Sequence, residues 1–305
     1  MIFFTTLAGA AQGLMLALVG IDLAATIGLI ATVPHAYFQL AGAGVVLLLC
    51  VVALAAATFH LGHPLRAWRA AAMWRTSWLS REVMVLPAFM VCVVGWAWSH
   101  ADGYITVGWG LSCAALALLL YVCTGMIYAA VRAIAQWATP MTPINFILLG
   151  LSSGLLMCTA LAALLEPALV AGLVVATLIV LFVAAVARAL TMRRNLTLVP
   201  KTTTQSAIGV RHPRIVQTSQ GMSAGSFGTR EFFHGATPGA LWGVRWSAAL
   251  LGAIVPLAVL ALEGGALSAL TAVLLCVVQM LGLWAERWSF FAEGQHPQNL
   301  YHQMR

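Results

Sequence analysis

Residues 59–83 read FHLGHPLRAWRAAAMWRTSWLSREV and put two histidines, four arginines, three tryptophans and a glutamate into one connection. Elsewhere such groups are sparse, because 62% of the 305 residues are hydrophobic and only 8% are charged. An imidazole gives or takes a proton near neutral pH, a carboxylate relays protons, and a guanidinium is a fixed cation with forked donors. His60, Glu82 and Arg66 supply one of each. Together they suit a pocket that holds the two carbonyl oxygens of a quinone head and moves its protons. A loop in the lipid headgroup belt would also carry Trp and Arg. That explains Trp68, Trp74 and Trp78, but not His60 or Glu82.

Composition sets the elements that position these groups. Soluble chains carry about 25% charged residues, and a water-soluble fold has too little interior for the apolar area implied by a mean hydropathy of +0.96. Lipid is the expected solvent. The opening MIFFTTLAGAAQG lacks the basic start of a signal peptide and leads into too long an apolar stretch, so the N-terminus is expected to be retained. Eight stretches reach the roughly 20 apolar residues that cross a bilayer: 5–32, 36–59, 83–100, 104–131, 143–165, 168–192, 241–263 and 266–291. They lack the alternation of a barrel. The expected fold is an all-α integral membrane protein, a bundle of eight transmembrane helices in a single domain, 1–305. Two connections clearly exceed ten residues, 60–82 and 193–240. Ser80 is the expected N-cap of the third helix. Glu82 would then lie at the positive end of the helix dipole, level with His60 at the close of the second helix, with Gly62 and Pro64 shaping a tight exit.

All fifteen Lys and Arg residues fall on the side of the termini and the connections 60–82, 132–142 and 193–240, and the opposite side has only Asp102, Glu166 and Glu263. By the positive-inside rule both termini and both long loops are cytoplasmic. The net charge of +7 is therefore a topology signal, and no nucleic-acid partner is expected. Other classes find less support. None of the six cysteines forms a C-x-x-C pair, which argues against an iron–sulfur cluster or a disulfide framework within this chain. The eight histidines lie at helix ends or in loops, so neither a bis-histidine haem nor a zinc site is expected. A transporter would place polar groups mid-membrane. Only Asp22 lies well inside a span, with Gln12, Asn145 and Gln279 as milder cases, and no internal repeat is evident. Asp22 is either a protonated carboxyl bonded to a neighbouring helix or a functional group. The polar 193–240 loop contains REFFHG at 230–235, denser than a tether requires, and is expected to meet a partner.

The string H-L-G-x-P-x-R-A, followed sixteen residues after Arg66 by the glutamate of L-S-x-E, resembles the membrane-anchor subunit of dimethyl sulfoxide reductase and its relatives. That resemblance implies eight transmembrane helices and no haem. It also implies an anchor for a molybdopterin-guanine-dinucleotide catalytic subunit and an iron–sulfur subunit, in exchange with the quinone pool, ubiquinone or menaquinone. Matched position by position, it implies quinone binding by His60, Gly62, Arg66 and Glu82. Elsewhere W-x-T-P at 137–140 is similar. A narrower likeness, to the anchors of cytoplasmic quinone-reducing sulfite dehydrogenases, rests on WRTSWLSREV at 74–83, REFFHG, and E-R-W-x-F-F-A-E-x-x-H-P-Q-N-L-Y at 286–301. It implies a non-catalytic subunit of the bacterial inner membrane with partners on its cytoplasmic face. The docking residues it marks are Arg230, Glu231, Phe232, Phe233, His234, Glu286, Arg287 and His296. The arginine distribution favours this over a periplasm-facing reductase that oxidises quinol.

Overall fold

The structure, a computed structural model, describes residues 1–31, 33–59, 62–103, 107–199, 203–216, 218 and 238–297. Among them are eight helices long and apolar enough to cross a membrane, and no strand. They are α1 (Ile2–Thr26), α2 (Ala36–Thr58), α3 (Trp78–Ala101), α4 (Val107–Ala129), α5 (Met141–Leu165), α6 (Pro167–Leu196), α7 (Gly239–Ala266) and α8 (Ala269–Ala292). Large apolar side chains such as Leu48, Val91, Phe182 and Leu262 stand exposed on the outside of the bundle. That surface is what lipid, rather than water, would cover.

Helix α1 is the hub. It packs on α2, α4, α5 and α8, and 72% of its most apolar window is buried, the largest share of any helix. Small residues make its contact with α5 possible. Gly9 and Gly13 on α1 meet Gly150 and Gly154 on α5, two small-xxx-small patterns face to face. A Cβ on Gly13 would lie 2.3 Å from the Gly150 carbonyl oxygen, and one on Gly154 would lie 2.1 Å from the Gly13 carbonyl carbon. No side chain fits there. A similar approach joins α7 to α8, where a Cβ on Gly282 would stand 2.0 Å from the Gly252 nitrogen. Gly252 belongs to a π-helical turn, Leu250–Ile254, within α7. The turn is followed by Pro256, which has no N–H to give to the carbonyl four residues earlier.

The two ends of the bundle differ in chemistry. At one end Asp22 of α1 accepts from Gln39 Nε2 of α2 at 2.5 Å and pairs with His100 Nε2 of α3 at 2.8 Å. All three are buried, and the Trp96 ring meets the His100 ring edge-on. Asp22 thus lies near the end of α1 rather than deep in the bilayer, bonded to two neighbouring helices. Close by, His35 and Glu166 pair at 2.7 Å. The His35 side chain and backbone N–H hold the Glu166 carboxyl below its ordinary range despite burial. The described arginines gather at the opposite end, where α1 and α3 begin and α6 and α8 finish.

Several boundaries differ from expectation for local reasons. Helix α1 stops at Thr26, ahead of a turn in which Gly28 takes φ +73°, so the apolar 27–31 stretch is not helical. Helix α3 begins at Trp78, because the side chain of Ser77, not of Ser80, accepts from the Ser80 N–H. Within the 60–82 connection Pro64–Met73 forms a 3₁₀ helix, opened by its proline, and residues from Trp78 onward belong to α3.

Candidate functional site

His60 and Leu61 lie outside the described residues, so the site is built from its other members. The 3₁₀ segment presents Arg66, Trp68 and Arg69 outward, and the turn after it does the same with Trp74 and Arg75. Arg69 stacks on Trp68 and Arg75 on Trp74, with guanidinium carbons 5.8 and 5.3 Å from the ring centroids. Arg81, from the first turn of α3, reaches back to donate to the carbonyls of Trp74 and Arg75, both at 2.9 Å. It thereby satisfies carbonyls that the end of a short helix leaves free, and it fixes the angle between this segment and α3. Arg66 is exposed and stands as a cation at the mouth. Gly62 has open space around its Cβ position and a φ outside the left-handed region. The described residues around it therefore do not themselves require glycine there.

Glu82 is where sequence and structure meet most informatively. With α3 starting at Trp78, Glu82 falls in the second turn rather than at the helix mouth, and it is only 4% exposed. Its Oε1 accepts a hydrogen bond from the Thr124 hydroxyl of α4. One turn further along α4, Tyr128 lies within electrostatic reach of both Glu82 and Arg287. Tyr128 stacks on Phe146 of α5 and meets Phe290 and Phe291 of α8 edge-on. Trp137 closes this aromatic cluster by donating from Nε1 to the Phe290 carbonyl at 2.9 Å. Its ring lies so near Gly294 that a Cβ there would approach it to 2.5 Å. A buried carboxylate bonded to a hydroxyl, with a phenol in electrostatic reach, is an arrangement able to exchange protons.

Two of the docking residues expected in the C-terminal motif are turned inward. Glu286 and Arg287 are 5% and 4% exposed and point into the bundle, where each pairs with a charge of the same chain. Arg287 Nε bonds Glu286 Oε2 at 2.5 Å, and Arg188 Nε of α6 lies 2.7 Å from Glu286 Oε1. Glu293 links Arg188 to Arg245 of α7. The physical reason is depth: both residues precede the end of α8 at Ala292, where a charge needs a partner inside the protein. His296 is half-buried beyond that end. Arg230, Glu231, Phe232, Phe233 and His234 lie outside the described residues. Sequence inspection gave no site role to Thr124, Tyr128, Arg188, Arg245 or Glu293. The first two carry a usable signal, polar side chains at i and i+4 on one face of an apolar helix. Among the described residues no group of three or more His, Cys, Asp or Glu is placed to hold a metal ion.

Comparison with known proteins matches residues 1–220 to the DMSO reductase anchor subunit (DmsC) family model. The chain belongs to the DmsC family. It is also 42% identical to a subunit of the sulfite dehydrogenase of Allochromatium vinosum, over 99% of this chain and 97% of that one. No solved structure matches. The DmsC match contains α1 to α6 and the whole 60–82 connection, including the buried carboxylate of α3. The likeness to the sulfite dehydrogenase protein extends through α7 and α8 as well. As a member of the DmsC family the chain is a multi-pass membrane anchor subunit of an oxidoreductase complex.

Proposed function

We propose that this anchor holds a quinone at the basic end of the bundle, between the close of α2 and the start of α3. There it passes electrons to the quinone from the iron–sulfur subunit of a molybdopterin-containing complex. The observation that carries the proposal is Glu82: a carboxylate buried beside Thr124, under an arginine-rich connection, inside the region matched to DmsC. The reaction this serves is oxidation of sulfite, a reading supported by the name of the Allochromatium vinosum relative. Sulfite, water and quinone give sulfate and quinol: the partner's molybdenum site removes two electrons, and the quinone takes them up with two protons. His60 hydrogen-bonds one carbonyl oxygen of the quinone. Glu82 exchanges protons with the aqueous side through the loop, and Thr124 fixes its carboxylate. Arg66 keeps the mouth positive. By the arginine distribution this end, both termini and the partner subunits are cytoplasmic, in a bacterium whose inner membrane holds the chain. The loop 193–240 and the residues beyond α8 contribute to docking.

The family name supports a second direction, in which the same pocket oxidises quinol for a dimethyl sulfoxide reductase. Assaying the assembled complex with sulfite and with dimethyl sulfoxide separates the two. The site itself is tested by His60→Ala in membranes that contain the whole complex. The clusters should still be reduced by substrate, while electron transfer to quinone slows by at least about tenfold, or ~1.4 kcal/mol of barrier. Unchanged quinone turnover would remove His60 from the site.

A further inference from the structure

Arg287 lines a cleft between α1, α5 and α8 to which the quinone site assigns no role. The cleft is narrow, with a volume of about 20 Å³ behind an open mouth, and its walls include Thr5, Thr6, Phe146, Leu149, Leu283 and Arg287. The guanidinium carbon of Arg287 sits 4.0 Å over the Phe146 ring. Its Nε is committed to Glu286, but its Nη1 is buried without a hydrogen-bond partner among the described residues. Charge points the same way. Arg188, Arg245 and Arg287 share Glu286 and Glu293, three guanidiniums to two carboxylates, and every one of these side chains is at most 16% exposed. Among the described residues one positive charge of this network is therefore unbalanced in a poorly solvated place. The faces of Phe146 and Phe290 offset only part of its cost.

We propose that the cleft is an anion site that takes the phosphate of an anionic phospholipid headgroup, with Arg287 as its buried donor. Depth supports a lipid. Thr5 and Thr6 lie in the first two turns of α1 and Arg287 in the last two turns of α8, the level at which headgroups sit against a spanning helix. Phe146, Leu149 and Leu283 form an apolar wall for the glycerol and the upper acyl chain. Basic pockets between transmembrane helices recognise headgroups in this way. The threonine hydroxyls do not compete for the role. Both donate to carbonyls of their own helix, and Thr6 also accepts from Trp284 Nε1 at 3.1 Å. The guanidinium is left to meet the phosphate. This inference stands independently of the quinone site.

The test uses the purified complex in nanodiscs of phosphatidylcholine, with and without phosphatidylglycerol, and reads the thermal unfolding midpoint of the anchor. Phosphatidylglycerol should raise the midpoint, and the increment should persist at high salt because the contact is buried. Arg287→Met should abolish the increment. Leu149→Trp, which fills the cleft and leaves every charge in place, should abolish it too, so a folding defect in the first variant does not decide the matter. An increment absent from the wild type, or undiminished in either variant, would overturn the proposal. The same increment from inorganic phosphate added to the complex in detergent would overturn the lipid assignment.

Discussion

Glu82 and Thr124 together make the sharpest statement at the scale of single residues. A carboxylate 4% exposed is tolerable in a membrane helix only with a partner, and among the described residues the Thr124 hydroxyl donates to it. Replacing Thr124 with Val should cost about 1–3 kcal/mol, the usual penalty for leaving a buried polar group unsatisfied, and should slow quinone turnover. Thr124→Ser should restore both. Thermal unfolding and quinone-reduction rates of the intact complex check this. At the opposite end Glu166 makes a pH-dependent prediction. His35 holds its carboxyl below the ordinary value, so this contact stabilises the fold above the ordinary carboxylate pKa of about 4.3. The contribution fades as pH falls through the lowered folded value. Glu166→Gln should therefore destabilise at neutral pH and match the wild type in strong acid, as read from unfolding midpoints across pH. The motif in residues 59–83 was legible because charge is rare in this chain. Thr124 was not, because a threonine in an apolar helix is ordinary until its neighbour is known.

Among the elements, apolar length was easy to read and caps were not. All eight spans were visible in composition, since about 20 apolar residues have few other uses. Their ends moved wherever a local contact outweighed hydropathy. Ser77 captured the start of α3, and Gly28 ended α1 before its apolar run was over. The glycine pairs of α1 and α5 escaped notice because their meaning is interhelical. Gly154→Leu should force the two helices apart at a place where even one carbon does not fit. Overpacking usually costs about 1–3 kcal/mol, and occasionally more. A backbone-to-backbone contact at the hub helix belongs to the upper end. The measurement is the yield and unfolding midpoint of the anchor, with Gly20→Leu, at a position with open space, as the control.

The whole molecule is a bundle with one basic and one acidic end, and its orientation is a separate, checkable claim. Cysteine introduced at Arg69 should react with a membrane-impermeant maleimide only when the cytoplasmic side is accessible, and cysteine at Asp102 only from the outer side. The reverse pattern would place the partners in the periplasm and favour quinol oxidation. Burial of the native cysteines, five of them fully and Cys276 in part, keeps the background low. Partner contacts were the least legible part of the sequence. Glu286 and Arg287 look like surface charges in a motif, yet depth near the end of α8 turns them inward. The central claim is the quinone berth at the α2–α3 mouth, and photolabelling the intact complex with an azidoquinone tests it most directly. Adducts should map to residues 59–83 and the facing turns of α4, disappear under excess quinone, and weaken in Glu82→Gln. Adducts confined to the acidic end, near Asp22 and His100, would contradict the account.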